Sequence, residues 1–502
     1  AIMSTFGGIE LGKRALQTQQ KSLNITGHNI ANANNEKYSR QRAVQSATDP
    51  YTLASLYNPA GAGQVGTGVY IKSIMRMRDQ FIDTRIRYEN QGYGEWSVRK
   101  ENLRQIESIY NELDSGGVKN NLDRFFESFH DLVRDAESSN SVRESVIQTA
   151  ITLTTQLNHI DRSLMEFRAH LGSEIEYKVA EVNDLTKRIA ALNKQIKIIE
   201  SDPTKKANDL ADERDALIDE LSKIIDIQVR FDSFNQANIS LNGIAIVSGI
   251  TANELEYTIT AESRTSVDGV EYENVFDKYT FFVNGNEARI ESGEIYGLML
   301  VREDIVDQKM NKLDLLARTL INEVNAIHRR GYGKRDLPPA GADFGENGAG
   351  RDFFLGTDAS NIKVNDDPVN GIIGFPENIA AAPRTEDKNN DGENDLIGDQ
   401  SIALEIAQLR DKSITALGST SFNDFWQTQV SELGIEISRA EAMETNQNIL
   451  LESLKEKRQE VSGVNLDEEM TEMIKFQHGY SAAARVISVI DQMLDTLING
   501  MI

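Results

Sequence analysis

Residues 473–501 read MIKFQHGYSAAARVISVIDQMLDTLINGM. Apolar residues recur in this stretch at alternating steps of three and four, the pattern of a helix that buries one narrow face in a coiled coil. Chain ends fray unless contacts hold them, so an apolar stripe that reaches the last residues predicts a partner for this helix. The positions of this C-terminal stripe are Met473, Phe476, Tyr480, Ala483, Ile487, Ile490, Leu494, Leu497 and Met501.

The other end of the chain carries a matching but narrower repeat. Apolar residues recur there every seven positions, which predicts a second helix with one apolar edge. We therefore expect the two terminal helices to pair with each other or with a neighbouring subunit, and packing into an ordinary monomeric core is the alternative. The residues of this N-terminal seam are Ile9, Leu16, Leu23 and Ile30.

The middle of the chain is predicted to be helical, with one β-rich insertion. A long apolar repeat with a single stutter predicts one rod over residues 141–200, about 90 Å long. Alternating apolar residues after Ile227 and the turn dipeptides Asn242-Gly243, Asp268-Gly269 and Asn284-Gly285 predict antiparallel strands. The fold class is therefore mainly α with an inserted β-rich domain, in a nested layout with the terminal helices pairing in a coiled coil.

This layout divides the chain into a terminal domain, a long helical bundle and a distal β-rich part. The last segment below is rich in glycine and proline, which predicts irregular loops, and an alternative adds it to the β-rich domain. The predicted boundaries are 1–65 with 464–502 for the terminal coiled-coil assembly domain, 66–225 with 298–330 and 399–463 for the helical bundle domain, 226–297 for the β-rich insertion, and 331–398 for the irregular loops.

Composition excludes several classes of function. The chain has 502 residues and a formal net charge of −25, so a nucleic-acid partner is not expected. It contains no cysteine, which excludes disulfides, thiolate zinc sites and cysteine nucleophiles. Apolar runs stay shorter than the roughly 18 residues of a membrane helix, and no basic region precedes an apolar core at the N-terminus. We therefore expect neither a membrane span nor a cleaved secretory signal.

Two loops resemble ligand-binding motifs. Gly61–Gly66 matches G-x-G-x-x-G, but Asn58-Pro59 precedes it where a dinucleotide site needs a strand, so a flexible loop without a cofactor is predicted. A second loop begins with the spacing of a calcium site, although Gly398 stands where a bidentate glutamate is wanted. A solvated acidic turn is favoured there, and a shortened calcium loop is the alternative. Its candidate ligands are Asp387, Asn389, Asp391 and Asp395.

No catalytic site is predicted. The six histidines lack a second metal ligand at short spacing. A carboxylate-rich segment alternates with Arg214 and Lys223 around an apolar stripe, which is typical of a solvated helix face rather than of an acid/base pair. Its carboxylates are Asp209, Asp212, Glu213, Asp215, Asp219 and Glu220.

Motifs at both ends of the chain resemble those of the bacterial flagellar rod and hook axial proteins. The family usually has Thr at or just before Glu36 and Gly at the position of Lys37, so the local turn differs here. The blocks YSRQ and SGVNLDEEM resemble the hook-associated members in particular. The similar blocks are Leu23–Ala33 (LNITGHNIANA), Tyr38–Gln41 (YSRQ), Gly66–Val69 (GTGV), Arg76–Asp79 (RMRD), Asn208–Leu217, Asn322–His328, Ser462–Met470 (SGVNLDEEM) and Phe476–Ile487 (FQHGYSAAARVI).

The resemblance implies a non-enzymatic structural protein of the extracellular flagellum, located at the hook–filament junction. Members of this family are exported without a cleaved signal peptide through the flagellar type III export apparatus, after a dedicated export chaperone has held the C-terminal helix. The implied partners are further copies of the chain in a helical assembly, the hook protein and the second hook-associated junction protein. The C-terminal stripe would then serve assembly and chaperone binding, and the N-terminal seam would serve assembly.

Two alternatives remain open at this level. The chain could be another axial protein, such as a hook or distal rod protein. It could also be a flagellum-borne surface adhesin or enzyme whose activity resides in the insertion.

Overall fold

The computed structural model describes residues 5–49, 66–111, 117–135, 139–262, 276–337, 348–385, 387 and 398–499 of the 502-residue chain. A π-helical turn over Leu300–Val306 joins α6 to α7. The helices are α1 (Thr5–Ala31), α2 (Gln80–Asn111), α3 (Gly117–Arg134), α4 (Asn140–Ile199), α5 (Asn208–Ile224), α6 (Glu294–Met299), α7 (Asp307–His328), α8 (Ser401–Gln408), α9 (Phe422–Ser462) and α10 (Leu466–Asn499).

The strands are short and form small antiparallel sheets. β1 pairs with β2, β10 pairs with β11, and the insertion holds a four-stranded sheet in the order β3-β4-β5-β6 and a three-stranded sheet in the order β7-β8-β9. The strands are β1 (Gln41–Ala47), β2 (Val69–Arg76), β3 (Ile227–Phe231), β4 (Ala237–Leu241), β5 (Ile244–Ser248), β6 (Thr251–Ala252), β7 (Leu255–Glu262), β8 (Phe276–Val283), β9 (Asn286–Glu287), β10 (Phe354–Leu355) and β11 (Lys363–Val364).

The predicted fold class is confirmed. The structure is mainly helical, carries an inserted β-rich part, and packs its long terminal helices α1 and α10 against each other. The predicted rod is a single 60-residue helix, α4, whose apolar stripe stays buried from Val146 through Leu171 to Ile196. No helix in the ranges that the structure describes is both long and apolar enough to cross a bilayer.

The β insertion closes through the turns that the sequence predicts. Asn242 and Gly243 have φ values of 47° and 81° between β4 and β5, and Asn284 and Gly285 have 50° and 75° between β8 and β9. Two consecutive positive φ values define the hairpin turn that Asn-Gly favours. The third predicted dipeptide, Asp268-Gly269, lies outside the described residues.

Two asparagines on α4 hold the insertion against the rod. Asn183 exchanges two hydrogen bonds with the backbone of Leu255, at 3.0 and 2.8 Å. Asn193 is fully buried, donates Nδ2 to the carbonyls of Ala237 and Gly249, and accepts the amide of Ala237 at 3.0 Å. A side-chain amide suits both tasks, because it offers a donor and an acceptor to the backbone groups at the ends of buried strands.

The described part of residues 331–398 docks onto the helical core. Phe353 and Phe354 are fully buried against Phe125 of α3, with ring centroids 5.8 and 5.5 Å away. Within the described residues, β10 and β11 pair only with each other. The aromatic side chains of this segment are therefore buried against α3.

Asn325 and His328 of α7 fix this segment through its backbone. Asn325 accepts the amides of Phe353 and Phe354 at 2.9 Å and donates to the Phe354 carbonyl. His328 is fully buried; its Nδ1 donates to the Arg351 carbonyl and its Nε2 accepts the amide of Ala380. This pattern requires a neutral ring, and burial lowers the pKa of His328 to about 4.

Candidate assembly surface

Helices α1 and α10 pack antiparallel, and two glycines of α1 allow α10 to approach closely. A Cβ on Gly8 would lie 2.8 Å from Cδ1 of Ile490, and a Cβ on Gly12 would lie 2.6 Å from Cγ1 of Ile487. Further along, Asn29 donates to Glu469 over 3.0 Å. Rising numbers on α1 thus meet falling numbers on α10. Neither glycine can carry a side chain here unless its isoleucine moves.

The C-terminal stripe lies on the covered side of α10 for most of its length. Ala483 is buried, and its neighbours on the stripe are half-buried. The end of the stripe differs, since Leu497 is 56 % exposed and Met501 lies outside the described residues. The half-buried members are Met473, Phe476, Tyr480, Ile487, Ile490 and Leu494.

A second apolar row runs along the outer side of α10. Val486, Val489, Met493 and Leu497 follow one another at steps of three, four and four, and are 44, 50, 60 and 56 % exposed. These four residues are called the outer row below. Leu497 belongs to both rows, whereas the sequence did not reveal Val486, Val489 and Met493, because they lie between residues of the C-terminal stripe. The helical spacing of these valine and methionine residues is the sequence pattern that could have revealed the row.

Helix α1 uses a polar face to hold the β1–β2 hairpin. Thr18 donates to the carbonyl of Val69 over 3.2 Å. Asn29 donates to the carbonyl of Gln41 and accepts its amide, at 2.9 and 3.0 Å. The buried residues of this face are Thr18, Ser22, Thr26 and Asn29. They were missed because periodicity analysis counts apolar residues only.

The N-terminal seam lies beside the glycines that meet α10, on the side away from the polar residues that meet the hairpin. All four of its residues are half-buried. In the structure the seam lies on α1, which packs against α10, and its residues are not completely buried. Its role in assembly stays a prediction. The seam consists of Ile9, Leu16, Leu23 and Ile30.

Arg40 attaches the segment after α1 to the break between α9 and α10. Its amide donates to the carbonyl of Ser462 over 2.8 Å. Its guanidinium donates to Glu469 at 2.6 Å and to Glu468 at 2.8 Å. Arg40 therefore links the end of α9 to the first turn of α10. Arg40 and both glutamates belong to the blocks YSRQ and SGVNLDEEM, which gives these blocks a structural role.

A buried carboxylate on α5 attaches the same segment to the helical bundle. Asp212 is 4 % exposed and accepts the amide of Ser39 at 2.8 Å, its hydroxyl at 2.6 Å, and Nη1 of Arg76 at 2.7 Å. Asp215 is 3 % exposed and accepts the same Nη1 of Arg76 at 2.9 Å. We call Ser39, Arg40, Arg76, Asp212 and Asp215 the joint.

The prediction of a solvated carboxylate face is wrong for Asp212, Asp215 and Arg214. Arg214 is fully buried, with its guanidinium 5.0 Å above the ring of Phe231. The physical reason is that arginines of β2 and of the following turn cover α5, so that these charges are paired instead of solvated. The prediction holds for Glu213 and Glu220, which are exposed.

The buried carboxyl groups of the joint are paired with guanidinium groups. Burial disfavours the ionised form of Asp215, but the surrounding guanidinium groups, led by Arg78 and Arg76, outweigh it and lower its pKa. Burial lowers the pKa of Arg214 to about 10, which still leaves it charged. Burial and nearby carboxylates raise the pKa of Tyr38, whose hydroxyl donates to Asn29 over 2.7 Å. These paired charges therefore connect the segment after α1 to the helical bundle.

The two ligand-binding candidates lie largely outside the described residues. Of the calcium-loop residues Asp387 is described, and Asn389, Asp391 and Asp395 lie outside the described residues. Gly61–Val65 of the glycine motif are likewise outside the described residues. Within the described ranges, no three His, Cys, Asp or Glu side chains are grouped so that they could hold a metal ion.

Comparison with family models gives matches in three parts of the chain. Residues 103–354 match the model of the flagellar hook-associated protein FlgK helical domain. Residues 9–38 match that of the flagella basal body rod protein, and residues 455–500 match that of the flagellar basal body rod FlgEFG protein C-terminal. The two terminal matches include most of α1 and α10, the helices that pair.

Similar proteins match over nearly the whole chain. Flagellar hook-associated protein 1 of Bacillus subtilis is 33 % identical, with 100 % of this chain and 99 % of that protein covered. Its Salmonella typhimurium counterpart is 26 % identical, with 96 and 98 % covered. The flagellar hook junction protein FlgK from Burkholderia pseudomallei, a solved structure, aligns with a TM-score of 0.57 at 14 % identity, over 75 % of this chain and 100 % of that one, and shows the shared fold.

Paired terminal helices that match the rod-protein models define an axial structural protein of the bacterial flagellum. The match of residues 103–354 to the FlgK helical domain identifies the family among these axial proteins. The chain belongs to the flagellar hook-associated protein 1 family.

Proposed function

We propose that this chain is a structural subunit of the junction between the flagellar hook and the filament, and that copies of it assemble helically at the hook tip. Its family membership supports the location, since the relatives over the full length are hook-associated proteins. The proposed arrangement of parts follows the sequence: residues 1–65 with 464–502 assemble, the helical bundle surrounds them, and residues 226–297 lie distally.

The observation that carries the assembly proposal is the outer row of α10. Three of its four residues are at least half exposed, although they are apolar and stand beside an ordered helix pair. Burying such a row against another subunit removes apolar surface from water, worth roughly 25 cal/mol per Å². The occupant that we propose is the terminal helix pair of a neighbouring copy.

The C-terminal stripe has a different proposed role before export. In the folded chain α1 covers Ile487 and Ile490, so a chaperone that binds the stripe must act on α10 while α1 is separated from it. An uncovered stripe is an aggregation hazard, which supports the need for such a chaperone. We propose that the chaperone and α1 compete for Ala483, Ile487 and Ile490, and that export through the type III apparatus precedes pairing of α1 with α10.

The remaining proposals concern partners and chemistry. The hook protein and the second hook-associated junction protein are the proposed neighbours below and above, in an extracellular structure. We propose no enzymatic activity, because the family is structural and the buried charged residues of the joint are engaged in pairing.

A matched pair of variants tests the assembly proposal. Val489→Asp places a charge in the outer row, and Ser488→Asp places the same charge on the same turn of α10 at an exposed polar position. In cells that lack the native gene, we expect Val489→Asp to leave hooks without filaments and Ser488→Asp to support filament growth. Equal filament numbers with both variants, at equal export, would contradict assembly through the outer row.

A further inference from the structure

Two buried arginines converge on one aspartate at the border of the β insertion. Arg168 of α4 donates Nη2 to the carbonyl of Asp277 at 2.7 Å, and Arg302 of the π-turn donates Nη1 to the same carbonyl at 2.9 Å. Both guanidinium groups also pair with the Asp277 carboxylate. Arg168 is further held by Asp307 at 2.7 Å. The two arginine side chains are only 7 and 4 % exposed.

The next residues of β8 are fixed by the same elements. Glu303, which follows Arg302 in the π-turn, accepts the amide of Tyr279 over 2.8 Å. The guanidinium of Arg302 lies 4.8 Å from the ring of Tyr279, whose hydroxyl reaches the carbonyl of Gly172 on α4. π-Helical segments are rare and are found frequently at functional sites. Here the π-turn sets two consecutive side chains against one strand end.

The position of this cluster along the sheet gives it a mechanical meaning. β7 and β8 pair from Leu255↔Val283 at one end to Glu262↔Phe276 at the other. Asn183 of α4 holds the first end through Leu255. Arg168 and Arg302 hold the opposite end through Asp277. Arg168 and Asn183 lie about 22 Å apart on α4, at 1.5 Å per residue. One anchor would leave a pivot, whereas two anchors fix a direction.

We infer that Arg168, Arg302, Glu303 and Asp277 form a clamp that fixes the orientation of the β7–β8–β9 sheet against the rod in the isolated chain. The inference goes beyond the proposed function, because it holds for the monomer and requires no assembly. Its consequence is that the insertion presents a preset surface before the subunit reaches its neighbours. Burial opposes ionisation of Asp277, but Arg168 and Arg302 outweigh it and lower the pKa of the carboxyl.

The test compares Asp277→Ala with Lys187→Gln by hydrogen exchange of the full-length monomer. Lys187 also links α4 to the insertion, through Glu254, but both side chains are more than half exposed. We expect the amides at the Asp277 end of β7 and β8 to exchange roughly 10- to 100-fold faster in Asp277→Ala, because charge-assisted hydrogen bonds are lost. Exchange in α4 and α7 should stay unchanged, and Lys187→Gln should leave all of them unchanged.

A distance measurement reads the orientation directly. The chain has no cysteine, so Glu166→Cys on α4 and Thr260→Cys on β7, both at exposed positions, can be spin-labelled without background. We expect one narrow distance distribution in the otherwise native chain and a wider distribution with Asp277→Ala. The variant loses the carboxylate that pairs with both arginines, and this end of the sheet then keeps only the bonds to the Asp277 carbonyl and the Tyr279 amide.

Three results would overturn the clamp. In Asp277→Ala, the distance distribution and the hydrogen exchange of β7 and β8 could stay as in the native chain. The exchange of α4 and α7 could rise as much as that of β8, which would make the cluster an ordinary part of the global core. Lys187→Gln could also have the same effect as Asp277→Ala, which would leave the buried cluster no special role. None of these measurements involves assembly, so they separate this inference from the proposed function.

Discussion

Asp212→Asn is the sharpest perturbation of the joint, because it keeps the shape of the side chain and removes its charge. The carboxylate accepts the Ser39 amide on Oδ2, and the Ser39 hydroxyl and Arg76 on Oδ1. An amide has only one oxygen. Whichever way it turns, its NH₂ group faces a donor that had an acceptor. We expect the segment after α1 to loosen from the helical bundle.

The magnitude follows from the bonds that are lost. A hydrogen bond to a charged group contributes about 1.5–3 kcal/mol, and a buried donor without an acceptor adds a desolvation penalty. Arg76 keeps Asp215 as a partner at 2.9 Å, which limits the loss. We therefore expect Asp212→Asn to lower the free energy of unfolding by about 2–4 kcal/mol.

Asp209→Asn is the matched control on the same helix. Its side chain is 65 % exposed and accepts Nε2 of Gln41 at 2.7 Å, so its change should cost less than about 1 kcal/mol. Urea unfolding at neutral pH measures both variants, and amide exchange of Arg40, which donates to Ser462, reports the joint locally. Equal destabilisation by the two variants, or an unchanged exchange rate at Arg40 in Asp212→Asn, would refute the reasoning.

Three further predictions rest on single contacts. Ile487→Asp places a charge against α1 and should separate the terminal helices and abolish assembly, without changing the melting temperature of the helical bundle. Arg485→Ala, at an exposed position, should leave both the helix pair and assembly intact. A lower melting temperature of the bundle in Ile487→Asp, measured by calorimetry, would contradict this. Burial lowers the pKa of His328 from 6.5 to about 4, so the unfolded chain binds this proton at a higher pH than the folded chain does. The free energy of unfolding should therefore fall by up to about 3 kcal/mol as the pH drops from 6.5 to 4. Urea titrations should show a smaller loss over this pH range for His328→Gln, and an equal loss in both proteins would contradict the prediction. Asn193→Ala removes buried bonds to Ala237 and should cost about 2–4 kcal/mol in urea, a value that a loss below 1 kcal/mol would rule out.

The sequence predicts those parts of the fold in which one periodic signal dominates. The stripe of α4 is long and regular, so 60 residues form one helix despite the stutter. The Asn-Gly turns need only local geometry. The docking of Phe353 and Phe354 onto α3 was not predictable, because it joins residues that are distant in sequence and the segment around them has no repeat.

The candidate site was predicted in outline only. Most of the C-terminal stripe is buried or half-buried in the structure, and its role in assembly and chaperone binding stays a prediction. Val486, Val489 and Met493 of the outer row were not predicted, because they lie between stripe residues of similar type. The glycines at 8 and 12 carry no hydropathy signal, although they decide how closely α1 approaches. Asp212 and Asp215 look like solvated charges on a helical wheel, since their arginine partners come from β2 and from the turn after it, more than a hundred residues earlier in the chain.

The most direct test of assembly through α10 is the protection of one engineered thiol. Met493→Cys places a single cysteine in the outer row, at a side chain that is 60 % exposed, in a chain that has no other cysteine. Labelling with a maleimide is measured in the purified monomer and in isolated hook–filament junctions. The account predicts rapid labelling of the monomer and strong protection in the junction. Equally rapid labelling in both states would contradict it.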